Sequence, residues 1–259
     1  MTMYGICELT IVPVRKQPSD HSEMINQLLF GDIITIEDQE GSWLLIKTSH
    51  DMYEGWVDSK QIRIISDSEF HNIKNKKTIF FYDIYGIATN NKGKSINLLL
   101  GSQLPNHKEN KISIDNRIYK IKGNITGNKN LFNSENIIET AIKYLGAPYL
   151  WGGRSPFGID CSGFVQVVFG MCGIHLKRDA YLQAESGSTI SFINEALPGD
   201  IAFFDNNEGK ITHVGIIIKD KQIIHASGEV RIDRIDHHGI YNENDKKYTH
   251  NLRIIKRLL

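Results

Sequence analysis

The period of the hydrophobic residues changes once along this chain, near residue 131, and this change most limits its possible folds. Before it, short apolar or alternating runs are separated by Gly, Asp, Ser and Pro, as in ICELTIVPVR, LLFGDIITIED, SWLLIKT and EGWVDSKQIRII. This punctuation is typical of short strands in a small β-barrel. The same style returns in KTIFFYDIYGIAT, SINLLLGSQL and RIYKIKGNI. We therefore predict two small all-β barrels, over residues 1–66 and 67–127.

After the change of period, the apolar residues follow a helical spacing of three and four. In SENIIETAIKYLG, Ser134 suits the N-cap and Gly146 the C-terminal stop. The predicted apolar face of this helix contains Ile137, Ile138, Ala141, Ile142 and Leu145. A second helix is expected to begin at Cys161, and strand-like runs such as DIAFFD, HVGIIIKD, QIIHAS and LRIIKRLL follow it. Helices followed by antiparallel strands predict an α+β domain over residues 131–259.

Charge and cysteine content argue against several classes of function. The 259 residues carry 30 basic and 30 acidic side chains, so we expect no binding to nucleic acid or to a membrane surface. The three cysteines form no CxxC pair, which favours reduced thiols over a disulfide framework. No secretory signal or transmembrane-length run is visible, so we expect a cytoplasmic protein. We also expect a monomer without cofactor or metal, and no metal-ligand spacing appears.

The cysteine in GIDCSGFVQVVFG stands where a helix should begin. Asp160 is a good N-cap residue, which puts Cys161 at the first helical position. Unpaired backbone N–H groups and the helix dipole at this end favour a thiolate over a thiol. The pattern fits a nucleophile, but it fits equally a small buried cysteine at the start of a core helix.

A thiol nucleophile needs a base, and two of the ten histidines stand in one predicted hairpin. His213 lies in ITHVGIII and His225 in QIIHASG. A two-residue turn at Asp220 and Lys221 would place their imidazoles on opposite faces of the sheet. A three-residue loop or a bulge would bring both rings to one face. A catalytic pair therefore requires an odd loop, and two unrelated strand histidines remain the alternative.

A longer block places these residues in a known context. GAPYLWGGRSPFGIDCSGFV, residues 146–165, resembles the signature of the NlpC-type cell-wall peptidases, and LPGDIAFF, HVGIII and IIHAS follow that family's order. The resemblance covers about residues 131–259. It implies a papain-like catalytic domain with an antiparallel sheet and an enzyme that cuts γ-D-glutamyl bonds in peptidoglycan peptides.

The resemblance also implies individual roles. Cys161 would be the nucleophile, His213 the base and His225 the residue that orients the base. The hydroxyl of Tyr149, with the backbone N–H of Cys161, would stabilise the oxyanion of the tetrahedral intermediate. Arg178 and Asp179, in LKRDAYLQ, are expected to position a loop rather than to take part in catalysis.

The N-terminal segment carries a narrower resemblance. YGICELTIVPVRKQPSD, SEMINQLLFGD, SWLLIKT and YEGWV are similar to the first bacterial SH3-like domain of the γ-D-glutamyl-L-diamino acid endopeptidase subfamily, whose members have two such domains. This implies that Tyr53 and Glu23 face the ammonium group of the substrate, although Glu23 also fits a solvated surface position. Asp160 and Ser162 would contact the N-terminal dipeptide, and Trp151 is expected to shape the groove.

Together the resemblances imply a cysteine endopeptidase with two SH3-like barrels before its catalytic domain. Its substrate would be a murein peptide, L-Ala-γ-D-Glu-diamino acid with a free N-terminus, as in recycling of the cell wall. Three alternatives stay open: a non-catalytic wall-binding protein, an amidase or acyltransferase, and a secreted hydrolase of intact wall.

Overall fold

The computed structural model describes residues 2–126 and 133–258, and the chain divides into two compact units. The first unit is Met1–Lys129 with Trp151–Pro156, and the second is Asn130–Leu150 with Phe157–Leu259. The predicted domain boundary at residues 127 to 131 lies outside the described residues. Within the described ranges, no helix combines the length and apolar character needed to cross a bilayer.

An antiparallel sheet of short strands forms the N-terminal part of the first unit, as its punctuated runs predict. Its strands are β1 (Met3–Ile6), β2 (Ile11–Arg15), β3 (Met24–Leu29), β4 (Ile33–Glu40), β5 (Trp43–Thr48), β6 (Glu54–Asp58) and β7 (Arg63–Ile65). They lie in the order β3-β2-β6-β5-β4-β1-β7. Alternate residues face the core, so Leu44 and Ile46 of β5 are buried beside Val14, Leu28 and Val57. Each such side chain contributes about 1.5–3 kcal/mol when fully buried.

A helix that the sequence analysis did not predict follows this sheet. The region from residue 67 was expected to be all-β, but Asp67–Lys74 forms helix α1. The Ser66 side chain caps it by accepting a hydrogen bond from the backbone N–H of Glu69. Ser66 and Glu69 have the spacing of a capping box, which is a sequence signal for a helix start. Phe70 of this helix stacks on Tyr4, with ring centroids 4.1 Å apart.

A second antiparallel sheet completes the first unit. It consists of β8 (Tyr85–Asn90), β9 (Ser95–Leu99), β10 (Lys111–Ile114) and β11 (Arg117–Lys122), in the order β10-β11-β8-β9. One hydrophobic cluster joins it to the N-terminal sheet through Phe30, Phe81 and Tyr119. Glu8 adds polar links, 2.6 Å to the Tyr119 hydroxyl and 3.0 Å to Arg117. Because the two sheets share a core, the bounds and number of the small barrels stay a prediction. The short strand β12 (Arg154–Ser155) lies in the segment Trp151–Pro156 of this unit.

The second unit has helices first and a large antiparallel sheet afterwards, as its change of period predicts. Its helices are α2 (Ser134–Ile142), α3 (Cys161–Met171) and α4 (Ala180–Gln183). Its strands are β13 (Gly158–Ile159), β14 (Ser188–Ile190), β15 (Ile201–Asp205), β16 (Ile211–Ile218), β17 (Gln222–Ser227), β18 (Glu229–Ile235), β19 (Gly239–Asn242) and β20 (Lys247–Arg257). The sheet order is β14-β20-β15-β16-β17-β18-β19, and β20 also pairs with β19. The strands β15 to β20 therefore close into a ring, against which α3 packs.

The N-cap of helix α2 lies one residue before the predicted one. The cap is Asn133, whose side chain accepts from the backbone N–H of Asn136, so Ser134 is already helical. Its buried face also differs from the predicted one, since Thr140 is buried and Ile142 is exposed, and the predicted Leu145 lies beyond the end of the helix. The predicted helix at Cys161 is confirmed, and its apolar stripe is buried.

Candidate active site

Helix α3 places Cys161 at its first position, as predicted. The side chain of Asp160 accepts a hydrogen bond of 2.7 Å from the backbone N–H of Gly163 and so caps the helix. The sulfur is in turn hydrogen-bonded to the backbone of Val214, the residue after His213 on β16. The cap and this strand therefore hold the thiol where helix α3 meets the strand that carries His213.

A buried arginine ties together the two residues beside the cysteine. Both terminal nitrogens of Arg178 donate to the Asp160 carboxylate, at 2.9 and 2.5 Å. The same guanidinium donates to the Ser162 hydroxyl at 2.8 Å. Asp160, Ser162 and Arg178 are all buried, so the ion pair is shielded from water. Arg178 thus positions the segment that carries the cysteine, and a contact of Asp160 and Ser162 with substrate stays a prediction.

The pKa of the Cys161 thiol depends on its burial as well as on the helix dipole. Burial and the adjacent Asp160 carboxylate raise the pKa of Cys161 to about 12, although backbone hydrogen bonds and Arg178 oppose them. Burial and the neighbouring histidines lower the pKa of His213 well below its ordinary value. At neutral pH the site therefore holds a neutral thiol and a neutral imidazole. Desolvation thus opposes the helix dipole at this thiol, and a preformed thiolate stays a prediction.

The hairpin that carries the histidines has the loop that a catalytic pair requires. Ile218 pairs with Gln222, so three residues form the loop, and Gly215 pairs with His225. Asp220 and Lys221 adopt positive φ angles of 60° and 58° there. The odd loop brings His213 and His225 to the same face, as predicted. A glycine is needed at position 215, opposite His225, since a Cβ there would lie 2.8 Å from the Cβ of His225.

A chain of polar contacts starts at His213 and ends at a carboxylate. The Nε2 atom of His213 lies 2.8 Å from Nδ1 of His225. The Nε2 atom of His225 lies 3.0 Å from Oδ2 of Asp233, which Arg231 contacts in turn. His213, His225 and Asp233 are all buried, and their hydrogen bonds hold each ring in one orientation.

A third imidazole, which the sequence analysis did not single out, stacks on the base. His250 of β20 lies with its ring centroid 4.0 Å from that of His213, and the planes are inclined by 24°. Burial lowers its pKa to about 4, so it is neutral at pH 7. His250 comes from the last strand, and only long-range strand pairing brings it to this place. Its flat contact fixes the plane of the His213 ring.

Tyr149 lies in the second unit, before the glycines of its loop. Its backbone N–H donates to the carbonyl of Gly228 at 2.8 Å. Burial and the nearby Cys161 and Asp160 raise the pKa of its hydroxyl to about 12. The hydroxyl is therefore protonated at neutral pH and can donate a hydrogen bond, which an oxyanion stabiliser must do.

The other predicted site residues belong to the first unit. Glu23 accepts a hydrogen bond of 2.8 Å from the indole N–H of Trp151, and both side chains are largely exposed. Tyr53 is half-buried, and its backbone N–H donates to Thr48 and Asp51. The structure thus brings Glu23 and Trp151 together.

The residues of the described ranges form no group of three or more His, Cys, Asp or Glu side chains suited to hold a metal ion. Cys7, Cys161 and Cys172 are free and buried.

Comparison with known proteins finds a family match in each unit. The NlpC/P60 family model matches residues 146–253, and that of the bacterial dipeptidyl-peptidase Sh3 domain matches residues 14–62. The chain is similar in fold to the crystal structure of an NlpC/P60 family protein from Bacillus cereus ATCC 10987. The TM-score is 0.82 at 22% identity, with 99% of each chain covered.

Two curated relatives cover most of the chain. It is 30% identical over 216 residues to the gamma-D-glutamyl-L-lysine dipeptidyl-peptidase of Bacillus subtilis (strain 168), with 77% of this chain and 71% of that protein covered. It is 26% identical over 254 residues to dipeptidyl-peptidase 6 of Lysinibacillus sphaericus, with 88% and 90% covered. The first relative is close enough, over enough of its length, to show common family membership. The chain therefore belongs to the NlpC/P60 family of cysteine peptidases.

Proposed function

We propose that this cysteine peptidase hydrolyses the bond between γ-D-Glu and the diamino acid in L-Ala-γ-D-Glu-diamino acid peptides derived from peptidoglycan. The observation that carries the proposal is that strand β16 contacts the Cys161 thiol and also carries His213 of the histidine pair. Cys161 is hydrogen-bonded to Val214, and the adjacent His213 lies 2.8 Å from His225. Two relatives are named as dipeptidyl-peptidases, one of them for a γ-D-glutamyl-L-lysine bond, which supports this choice of substrate.

The first chemical step is attack by the Cys161 sulfur on the carbonyl carbon of γ-D-Glu. Because thiol and imidazole are both neutral at rest, His213 removes the thiol proton as the S–C bond forms. Tyr149 and the backbone N–H of Cys161 donate to the oxyanion that develops on the carbonyl oxygen. Tyr149 suits this task because its raised pKa keeps the hydroxyl protonated.

The intermediate then collapses with loss of the amine. Protonated His213 donates its proton to the leaving amino group of the diamino acid, and the C–N bond breaks. Water attacks the remaining thioester while His213 takes a proton from it. The S–C bond then breaks, and His213 returns the proton to the Cys161 sulfur. The products are L-Ala-D-Glu with a free carboxylate, the diamino acid and the restored enzyme. One water is consumed for each peptide.

The first unit is proposed to select the amino end of the substrate. The match to the bacterial dipeptidyl-peptidase Sh3 domain over residues 14–62 supports this role. Glu23 and Tyr53 belong to that matched segment, and Glu23 holds the indole of Trp151. A carboxylate suits the free ammonium of L-Ala through a charge-assisted hydrogen bond. Such selection favours peptides already released from the wall, as in recycling, over intact polymer.

The proposed organisation is the one that the sequence predicts. Small SH3-like domains would occupy residues 1–66 and 67–127, and the peptidase domain residues 131–259. The shared core of the two N-terminal sheets fits a second domain that supports the first.

The test is mass spectrometry of purified protein incubated with L-Ala-γ-D-Glu-meso-diaminopimelate, with L-Ala-γ-D-Glu-L-Lys and with the N-acetylated form of each. Release of L-Ala-D-Glu from free-amine peptides alone is the expected result. Cys161→Ser should abolish release, whereas the matched control Cys172→Ser, at a buried cysteine beside Thr140, should not. The preferred diamino acid is read from the two rates.

Other results would overturn parts of the proposal. Equal cleavage of free and acetylated peptides would keep the bond and reject selection of the amino end. Cleavage of polymeric peptidoglycan would favour a hydrolase of intact wall. Release of L-Ala alone would show aminopeptidase-like cleavage of the L-Ala–D-Glu bond instead. No product from any peptide would reject the proposed reaction.

A further inference from the structure

We propose that Asp233 and Arg231 are positioning residues that act through His225 to fix the proton of the base His213 on Nε2, the nitrogen that faces His225. The inference rests on the proposed function, since it assigns the tautomer in which His213 can act as a base. Neither residue touches the thiol, so both act through another side chain.

Strand pairing places these groups on one face of the sheet. In the hairpin of β17 and β18, His225 pairs with Arg231 and Ile223 pairs with Asp233. Side chains two positions apart on a strand point to the same side, so Arg231 and Asp233 share the face of His225. Asp233 is the diagonal neighbour of His225, and the distance of 3.0 Å between Nε2 and Oδ2 follows from this register.

The carboxylate decides which nitrogen of His225 carries a proton. Hydrogen bonds from His225 and Arg231 hold the pKa of Asp233 below its ordinary value despite its burial, so it is ionised and only accepts hydrogen bonds. The Nε2 atom of His225 must therefore be the donor in that contact. In a neutral imidazole the other nitrogen, Nδ1, then has a lone pair and no proton.

The same argument assigns the proton of the base His213. Nδ1 of His225 accepts, so the atom 2.8 Å away, Nε2 of His213, must donate. In neutral His213 the proton thus sits on Nε2, and Nδ1 has the lone pair. That lone pair is the one available to a proton outside the histidine pair, which is the requirement for a general base.

Arg231 fixes the carboxylate itself. Its terminal nitrogen donates to Oδ1 of Asp233 at 2.9 Å, and its Nε lies 2.8 Å from Oδ2. The guanidinium supplies a full counter-charge to a carboxylate that is only 7% exposed. Because Oδ2 contacts both Arg231 and His225, the ion pair helps to hold the carboxylate against the imidazole.

The direct test reads the tautomers without any substrate. Protein labelled with ¹⁵N in the histidine rings is examined by long-range ¹H–¹⁵N correlation at neutral pH, with signals assigned from His213→Gln and His225→Gln. We expect His225 and His213 both to carry their proton on Nε2. A proton on Nδ1 of neutral His225 would overturn the inference, whatever the activity of the protein.

The kinetic test uses Asp233→Asn. Arg231 is expected to hold the amide oxygen, which turns the amide N–H towards Nε2 of His225 and inverts both tautomers. We expect kcat to fall by about 100-fold or more, the size of a general-base contribution, with KM changed by less than about threefold. The histidine signals should show the inverted tautomers in the same sample. A variant with unchanged kcat would overturn the inference.

Matched controls come from the same strand and the turn after it. Asp236→Asn removes a carboxylate that accepts from the Tyr248 hydroxyl at the surface, and Arg234→Gln removes an exposed partner of Glu243. Both should keep wild-type kcat, whereas Arg231→Gln should lower it. Failure of the proposed function is separate, since it would appear as an inactive wild-type protein that still has the expected tautomers.

Discussion

The two sets of candidate site residues differ in how the fold holds them. In the second unit, His225 is 1% exposed, and two hydrogen bonds fix its ring. In the first unit, Trp151 is 60% exposed, and its indole N–H reaches Glu23, whose side chain is 44% exposed. Proton transfer needs fixed distances, and the interior supplies them. Recognition of a charged end does not need a buried pair, so we expect changes in the two units to affect different kinetic parameters.

The largest expected effect tests the buried ion pair of the second unit. Arg178→Met leaves the Asp160 carboxylate buried without its cation, which costs about 3–5 kcal/mol of unfolding free energy. Urea unfolding measures this loss. The matched control is Arg234→Met, which breaks an exposed pair with Glu243 and should cost about 0–1 kcal/mol. Equal losses in both variants would show that burial of the ion pair adds nothing.

The next effect concerns the state of the buried thiol. Its pKa is raised to about 12, so the thiolate fraction should rise about tenfold for each pH unit, and about 100-fold between pH 7 and pH 9. The alkylation rate of Cys161 by iodoacetamide should follow that rise. The Cys161→Ser variant corrects for Cys7 and Cys172. A fast rate that is independent of pH between 6 and 8 would instead indicate a preformed thiolate.

The smallest expected effect tests the exposed residue Glu23 of the first unit. Glu23→Gln removes a charge opposite the proposed ammonium of L-Ala, and we expect KM for the free-amine peptide to rise by about 3- to 10-fold with kcat unchanged. Lys16→Gln is a suitable control, because it removes the cation 3.4 Å from Glu23 and keeps the carboxylate. A fall in kcat with constant KM would place Glu23 in the chemistry and remove the contrast between the units.

The local parts of the site could be predicted from the sequence. The cap at Asp160 and the helix start at Cys161 depend on neighbouring residues, and both are confirmed. Strand alternation showed that a catalytic pair of His213 and His225 requires an odd loop or a bulge, and the hairpin has a three-residue loop. The helix Asp67–Lys74 was missed although Ser66 and Glu69 carry its signal, because alternating runs on both sides favoured strands.

The long-range parts could not be predicted in the same way. His250 reaches His213 only because β20 pairs with β15 and β19, and no local pattern records that pairing. Asp233 depends on the register of β17 and β18, which the single residue Gly228 sets at the turn between Ser227 and Glu229. The burial that raises the pKa of Cys161 is also a long-range effect, whereas the helix dipole is local.

The most direct test of the central claim is the mass of the enzyme during turnover. Protein mixed with L-Ala-γ-D-Glu-L-Lys and quenched in acid within milliseconds should show an adduct equal to L-Ala-γ-D-Glu less one water. Proteolysis and fragmentation should place the adduct on Cys161, and Cys161→Ser should show no thioester. Turnover without any adduct, together with activity that survives Cys161→Ser, would contradict the account. An adduct on Cys7 or Cys172 would contradict it equally.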